Sequence, residues 1–278
     1  MLDLTIVIPV KNEILNLPGC INAIGANFAK NIVILDSNSN DGTQLISGGN
    51  IDLIDFVWDG NFPKKRNWYL RNHTPTTQWV LFLDADEYIT DAFKNEVTKR
   101  ISANDGKVGY WLNYSIYFMG RRLKGGYPLK KLALFKVVAG EYEKIDESNW
   151  SSLDMEIHEH PILNGETGVI QSKIDHRDFR GVDHYMIKHQ EYASWEAARY
   201  QTDINDNEKM RAWTWKQKLK YRLIRSPIIG LFYFFGSYIF MGGFRDGSVG
   251  LAFAILKMSY FTQIYCKINE SKSLELVK

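Results

Sequence analysis

Cysteine is scarce in this chain of 278 residues: Cys20 and Cys266 are the whole supply. They stand far apart and match no zinc or redox spacing, so both are expected as reduced, buried thiols of a cytosolic protein. No charge sign is in excess either, with 34 Lys+Arg against 32 Asp+Glu and a formal net charge of +2. That balance gives no case for a nucleic-acid partner. The N-terminus has no basic segment followed by an apolar core, so no signal peptide is expected. No Gly-x-Gly-x-x-Gly follows the first strand-like run and no P-loop pattern occurs, which sets aside a dinucleotide fold and a P-loop nucleotidase.

What is present begins with buried-strand signals. The segment from Trp79 to Leu83 is a short, almost wholly apolar run that ends in Asp84, Asp86 and Glu87. Such a run reads as a strand covered on both faces in a parallel sheet. Ligands of open α/β sheets collect beyond the carboxyl ends of such strands. Asp84 and Asp86, with no Lys or Arg beside them in sequence, repel each other unless a cation sits between them. A hard divalent cation, Mg²⁺ or Mn²⁺, does this while keeping positions free for phosphate oxygens.

The same pattern occurs twice before. Leu4 to Val10 and Asn31 to Asp36 are β-branched runs, followed by helical spacing through about residue 28 and a polar turn from Ser37 to Thr43. A third short strand is expected over Ile51 to Val57 and a second helix from Lys64. Strand, helix, strand, helix, strand predicts a parallel α/β half-fold in which Pro9 to Glu13, Asp36 to Ser39 and Asp84 to Asp86 converge on one edge.

The second half carries an aromatic/polar alternation from Val108 to Ile116, which reads as a strand with an exposed face. A basic, glycine-containing loop from Gly120 to Pro128 follows, then strands over Leu132 to Val138 and Ile170 to Ile174, and an amphipathic helix over Asp183 to Tyr200. Near an acceptor, Arg121, Arg122 and Lys124 would receive a phosphate or diphosphate. His158 and His160 flank Glu159, but no third or fourth ligand completes a zinc-site spacing.

Four of these motifs, in order and at matching intervals, resemble the family-2 inverting glycosyltransferases of the GT-A fold: Val7 to Glu13, Asp36 to Thr43, Lys65-Arg66-Asn67, and Trp79 to Glu87. Asp84-Ala85-Asp86-Glu87 with Gly126-Tyr127-Pro128 and Ile157-His158-Glu159 is similar to the lipopolysaccharide-core glucosyltransferase branch. The resemblance implies a Rossmann-like nucleotide-binding half and an acceptor-binding half on a mixed central sheet. It implies that Pro9, Val10 and Glu13 line the base and ribose of a sugar nucleotide. Asp36 and Ser37 address a uracil edge and Arg66 the base or diphosphate. Asp84 and Ala85 lie by the ribose, Asp86 binds the metal with Asp84 nearby, and a late histidine, His176, completes the coordination. Glu159 becomes the general base, and Tyr127 joins the basic loop at the acceptor.

After about residue 208 the composition changes. Lys209, Arg211, Lys216, Lys218, Lys220, Arg222 and Arg225 are interleaved with Trp213, Trp215 and Tyr221, and Ser226 to Phe244 then carries no charge. Basic residues with interfacial aromatics beside apolar segments suit an anionic membrane surface. The expected organisation is therefore a GT-A domain over 1–205, with its nucleotide-sugar half over 1–106 and its acceptor half over 107–205. A membrane-associating helical region over 206–278 follows it. Ser226 to Phe244 is long enough to span, but its glycines and Pro227 favour a helical hairpin in the interface. The function expected is a metal-dependent transferase moving sugar from a nucleotide diphosphate sugar, UDP-linked by the resemblance, to a lipid-linked glycan. The acceptor would be a lipopolysaccharide core or a polyprenyl-diphosphate oligosaccharide, met at the cytoplasmic face of a bacterial inner membrane. A membrane-surface sugar-binding protein without turnover is the non-enzyme alternative. Haloacid-dehalogenase-type phosphatases put Asp-x-Asp on the first strand, and sugar nucleotidyltransferases need a glycine-rich loop absent here.

Overall fold

A computed structural model describes residues 1–145, 154, 160–204 and 215–277 of the chain. It divides into two compact units, Met1–Tyr117 with Pro128–Phe179, and Phe118–Tyr127 with Arg180–Lys278.

The first unit is built on a mixed sheet. Its strands are β1 (Leu2–Val10), β2 (Ala29–Asp36), β3 (Ile51–Asp55), β4 (Trp79–Phe82), β5 (Glu87–Tyr88), β6 (Gly109–Phe118), β8 (Lys130–Lys136) and β11 (Thr167–His176). A two-residue β7 (Arg121–Arg122) falls between β6 and β8 in the chain, and β9 (Gly140–Tyr142) and β10 (Pro161–Leu163) form a separate ribbon. The main path runs β3-β2-β1-β4-β8-β6-β11-β5. β1 pairs parallel with β2 and β4, and β2 with β3, whereas β8 runs antiparallel to both β4 and β6.

The parallel part is the more apolar, as burial on both faces demands. Leu4, Ile6, Val7 and Ile8 of β1 are fully buried, as are Val80 and Leu81 of β4. Each such side chain stabilises the fold by about 1.5–3 kcal/mol relative to exposure. Helices α1 (Leu17–Ile24), α2 (Lys65–Asn72) and α3 (Asp91–Ala103) connect the strands, α1 entering with a proline in its first turn and α3 with Thr90 accepting from the Phe93 N–H. Cys20 of α1 lies in the core with Leu17 and Ile24.

β6 departs from its expected exposed face. It lies inside the sheet between β8 and β11, and Tyr110, Leu112 and Tyr114 are all buried. Its aromatics fill core space on one side, and the other side is half-covered, so the alternation marks two different packings rather than core and solvent.

The second unit is helical: α4 (Gly181–Ile204), α5 (Trp215–Leu223), α6 (Ile229–Phe235) and α7 (Gly247–Val277). Ala193, Ala197 and Tyr200 of α4, Tyr221 of α5, Ile224, and Tyr260, Ile264 and Ile268 of α7 form its core. The uncharged run from Ser226 to Phe244 is not one helix. It passes from α6 into a π-turn over Gly236–Phe240 and then a 3₁₀ turn over Gly243–Asp246, with Gly242 at φ 72° between them. Among the described residues the segment long and apolar enough to cross a membrane is instead Gly243–Glu270, by length and composition alone. Cys266 is exposed on α7, which corrects the expectation of two buried thiols.

Candidate functional site

The parallel register fixes where the polar strand ends lie. Val10 pairs with Asp36 and Asp36 with Asp55, the Ser37 N–H donates to the Val10 carbonyl, and the Leu83 N–H donates to the Val7 carbonyl. Strands that run as apolar pairs through the core therefore release Pro9 to Glu13, Asp36 to Ser39 and Asp84 to Asp86 at the same edge.

Two of these turns are sewn together. The Asn12 N–H donates to Ser39 Oγ at 2.8 Å and the Asn40 N–H to Asn12 Oδ1 at 2.9 Å. Glu13 N–H donates to Thr43 Oγ1 at 2.9 Å and Ile14 N–H to Asp41 at 3.0 Å. Asn12 and Asn38 hold positive φ of 56° and 54°, which asparagine tolerates better than most residues. Asp36 is buried and takes both the N–H and the hydroxyl of Ser39. Ser37 donates its hydroxyl to Asp154, which also faces the buried Lys65 ammonium at 3.3 Å. Lys65 Nζ in turn donates to the Val10 carbonyl at 3.1 Å. Burial pulls the Lys65 pKa down while Asp154 supports its charge. Asp154 is held below the usual carboxylate range, since Lys65 and the Ser37 hydroxyl outweigh the opposing effect of its burial.

The carboxylate turn is differently arranged from its sequence reading. Asp84 is paired: Arg66 Nη2 lies 2.9 Å from Oδ1 and Lys131 Nζ 2.5 Å from Oδ2. The expectation of an acidic pair with no cation beside it fails because these partners come from α2 and β8, distant in sequence and adjacent in the fold. Lys131 also reaches Glu87 Oε1 at 2.5 Å, while Glu87 Oε2 accepts the Asp84 N–H at 3.1 Å. Arg66 lies over the Tyr142 ring at 5.3 Å. Burial pushes the Glu87 carboxyl up to about 7, opposed by Lys131 and reinforced by Asp84 and Asp86. Burial would lower Lys131, but Asp84 and Glu87 raise it well above the ordinary lysine value.

Asp86 is 3 % exposed and stands beside His176, Nε2 to Oδ1 3.6 Å. The antiparallel pairing of β5 with β11 makes this contact, because it sets His176 opposite Glu87 and the Arg177 N–H on the Asp86 carbonyl. An oxygen and a nitrogen donor that close could supply two ligands to a divalent metal. Among the described residues no group of three or more His, Cys, Asp or Glu stands arranged for a metal, so further positions would fall to phosphate oxygens and water.

Pro9, Val10, Glu13, Asp36, Ser37, Arg66, Asp84, Ala85, Asp86 and His176 thus lie in one unit. Arg121, Arg122, Lys124 and Tyr127 belong to the other, where the Lys124 and Gly125 N–H groups donate to Asp246 and the Tyr127 ring lies 5.5 Å from that of Tyr233. Glu159, expected as the base, lies outside the described residues with Glu156 and His158. Lys131 was missed by sequence reasoning. Its only signal is a lysine next to the apolar stretch Leu132 to Phe135 of β8.

Among solved structures, the Staphylococcus aureus TarS fragment 1–349 is similar at 12% identity with a TM-score of 0.41, over 98% of this chain and 92% of that one. In another TarS structure the match covers 49% of this chain and 28% of that one. The mannosyltransferase PcManGT of Pyrobaculum calidifontis, solved with GDP-Man and Mn²⁺, gives 14% and 0.47 over 97% and 88%. Glucosyl-3-phosphoglycerate synthase of Mycobacterium tuberculosis, solved with Mn²⁺, UDP and phosphoglyceric acid, gives 15% and 0.38 over 69% and 76%. At sequence level, the model described as Glycosyl transferase family 2 matches residues 5–129, the stretch from β1 through the carboxylate turn to the start of β8. The converging strand ends therefore lie within the stretch that the Glycosyl transferase family 2 model matches.

Proposed function

We propose that the chain is an inverting, metal-dependent glycosyltransferase that takes a nucleotide diphosphate sugar, with UDP the favoured carrier. The observation that carries this reading is the Asp86–His176 pair at 3.6 Å, in the turn that follows β4. Asp36 and Ser37 would meet the base, Pro9, Val10 and Glu13 the base and ribose, and Arg66 the diphosphate. Asp86 and His176 would hold Mn²⁺ or Mg²⁺. When bound, that cation neutralises the diphosphate leaving group. Asp84, between Arg66 and Lys131, holds both cations, so its part is to orient Arg66 toward the diphosphate. Glu159 would take the acceptor proton in a single displacement at the anomeric carbon.

The acceptor we assign is a lipid-linked glycan, a lipopolysaccharide core or polyprenyl-diphosphate oligosaccharide, met at the cytoplasmic face of the inner membrane. Its support is the exposed apolar surface of the second unit, where Phe232, Phe235, Phe240 and Phe244 are all open to solvent. Arg121, Arg122, Lys124 and Tyr127 are the acceptor-side candidates.

The test is a thermal-shift titration with UDP, GDP, dTDP and CMP, with and without Mn²⁺. A ligand at a hundredfold its Kd stabilises the folded state by about 2.7 kcal/mol. One diphosphate shifting the melting point only when Mn²⁺ is present is the expected result. No shift with any nucleotide would remove the donor site and the enzyme reading with it.

A further inference from the structure

A cavity of about 520 Å³ in the second unit has no part in the donor site. It is lined by Tyr200 and Ile204 of α4, by Lys218, Tyr221 and Arg222 of α5, and by Arg225 and Ser226 on the turn after α5. Three of the seven lining residues are cationic. Lys218 and Arg222 stand one turn apart on one helix face, and Arg225 continues the row. Among the described residues no carboxylate forms an ion pair with any of the three. Asp203 accepts from the Tyr221 hydroxyl at 3.5 Å and faces Arg199 Nε at 3.5 Å. Three cations around a concave site suit a phosphate or diphosphate ester.

The next residues along the chain identify the carrier of that phosphate. The lining ends at Ser226, and two residues later an apolar stripe begins: Ile228, Leu231, Phe232, Phe235 and Ile239 recur at helical spacing and are all exposed. Phe240, 85 % exposed, and Phe244 extend it. The opposite side of α6 is buried, with Ile229 and Gly230 covered and Gly230 closely packed against Met258 and Thr262 of α7. The stripe is thus the face this element does not use for its own packing. Its charged flanks in sequence are Arg222 and Arg225 before and Arg245 after, while Asp246 is occupied by the backbone of Lys124 and Gly125. A second copy of the chain would bring these like charges face to face across a two-fold axis. An anionic lipid surface neutralises them.

We propose that this cavity is a binding site for the phosphate headgroup of an anionic lipid, whose chains lie along the stripe from Ile228 to Phe244. The site rests on the proposed meeting of acceptor and enzyme at a membrane surface and makes it specific. Headgroup charge is read by Lys218, Arg222 and Arg225, and bilayer insertion belongs to the phenylalanines.

The test is co-sedimentation of the full chain with vesicles of phosphatidylcholine alone and of equal parts phosphatidylcholine and phosphatidylglycerol. Each basic residue at an anionic surface changes affinity by about fivefold, so Arg222→Ala with Arg225→Ala should weaken binding to the mixed vesicles about 25-fold. Binding to phosphatidylcholine should stay weak and unchanged. Phe232→Ser with Phe235→Ser should weaken binding to both. The nucleotide thermal shift, read on each variant, reports whether it is folded. Inorganic pyrophosphate, a soluble competitor for the same cations, should lower binding of the parent to mixed vesicles to the level of the arginine variant and no further. Mixed-vesicle binding that is unchanged by pyrophosphate, or equal in the arginine variant and the parent, overturns the headgroup site but leaves membrane attachment standing. No binding of the parent chain to either vesicle overturns both.

Discussion

Lys131 Nζ stands 2.5 Å from a carboxylate oxygen of Asp84 and 2.5 Å from one of Glu87, so a single cation from β8 holds the carboxylate turn against itself. Glu87 is 1 % exposed and lies beside Asp84 and Asp86, so removing Lys131 strips Asp84 and Glu87 of the cation they share. Breaking a buried pair at one partner costs about 3–5 kcal/mol. Lys131→Met should therefore lower the urea midpoint by the equivalent of about 3 kcal/mol, at an unchanged slope. Adding Glu87→Gln to Lys131→Met should recover much of the loss, and a double-mutant cycle measures the coupling.

The same group sets a pH dependence. Burial raises the Glu87 carboxyl from 4.5 to about 7, so between those values the folded protein keeps a proton that the unfolded chain releases. Its stabilising contribution is complete below pH 4.5 and is lost as pH rises through 7. Urea midpoints measured across that window should fall more steeply in the parent than in Glu87→Gln. In Lys131→Met the opposing attraction is gone, so the window should extend upward. Parallel curves for parent and Glu87→Gln would show that Glu87 is ionised in the fold throughout.

The parallel half was legible because buried strands write themselves as unbroken apolar runs. Ile6-Val7-Ile8 and Val80-Leu81-Phe82 left no other reading, and their polar ends fell where the register puts them. Lys131 and Tyr142 were not legible, since pairing β8 antiparallel to β4 is a long-range choice that no local spacing records. His176 was placed by resemblance, and the physical reason for its position, the β5–β11 bridge, is only two residues long. At Ser226 to Phe244 the glycines that argued against one spanning helix do interrupt it. Composition registers hydrophobicity there, while Gly236, Gly242 and Gly243 break the helix and allow close approach, Gly243 to the Ser237 carbonyl among others.

Asp86→Asn and His176→Ala test the metal reading separately from the nucleotide. Both should lose the Mn²⁺-dependent part of the nucleotide thermal shift and keep any metal-independent part. Turnover should fall by more than about 100-fold, since even outer-shell partners of a metal commonly cost 10–100-fold. An unaltered Mn²⁺ response in Asp86→Asn would remove Asp86 from the metal site.

Lys65 tests whether the base-side turns are held from below. Its ammonium is 2 % exposed and joins Asp154 to the Val10 carbonyl. Lys65→Met leaves Asp154 facing a buried hydrophobe and the Ser37 hydroxyl alone. The expected loss is about 3 kcal/mol in denaturant unfolding, with nucleotide affinity falling beyond what the stability change explains. A variant that loses stability and binds nucleotide normally would make Lys65 a scaffold residue only.

Lys257 gives a prediction of the opposite sign. It lies on α7 near the rings of Phe253 and Tyr260, with Nζ 3.4 Å from His189 Nε2, and burial lowers its pKa from 10.5 to about 8. The folded state therefore disfavours the charged ammonium that the unfolded chain holds without cost. Below pH 8 the full penalty is present, and it fades as pH climbs toward 10.5, where the unfolded lysine also loses its proton. Lys257→Met keeps the length and apolar stem and removes the charge. It should raise the melting temperature at neutral pH, and the gain should shrink steadily over the same alkaline window. Melting curves of both proteins recorded from neutral to alkaline pH check this, and a gain independent of pH would mean that the methionine acts through packing rather than through the charge.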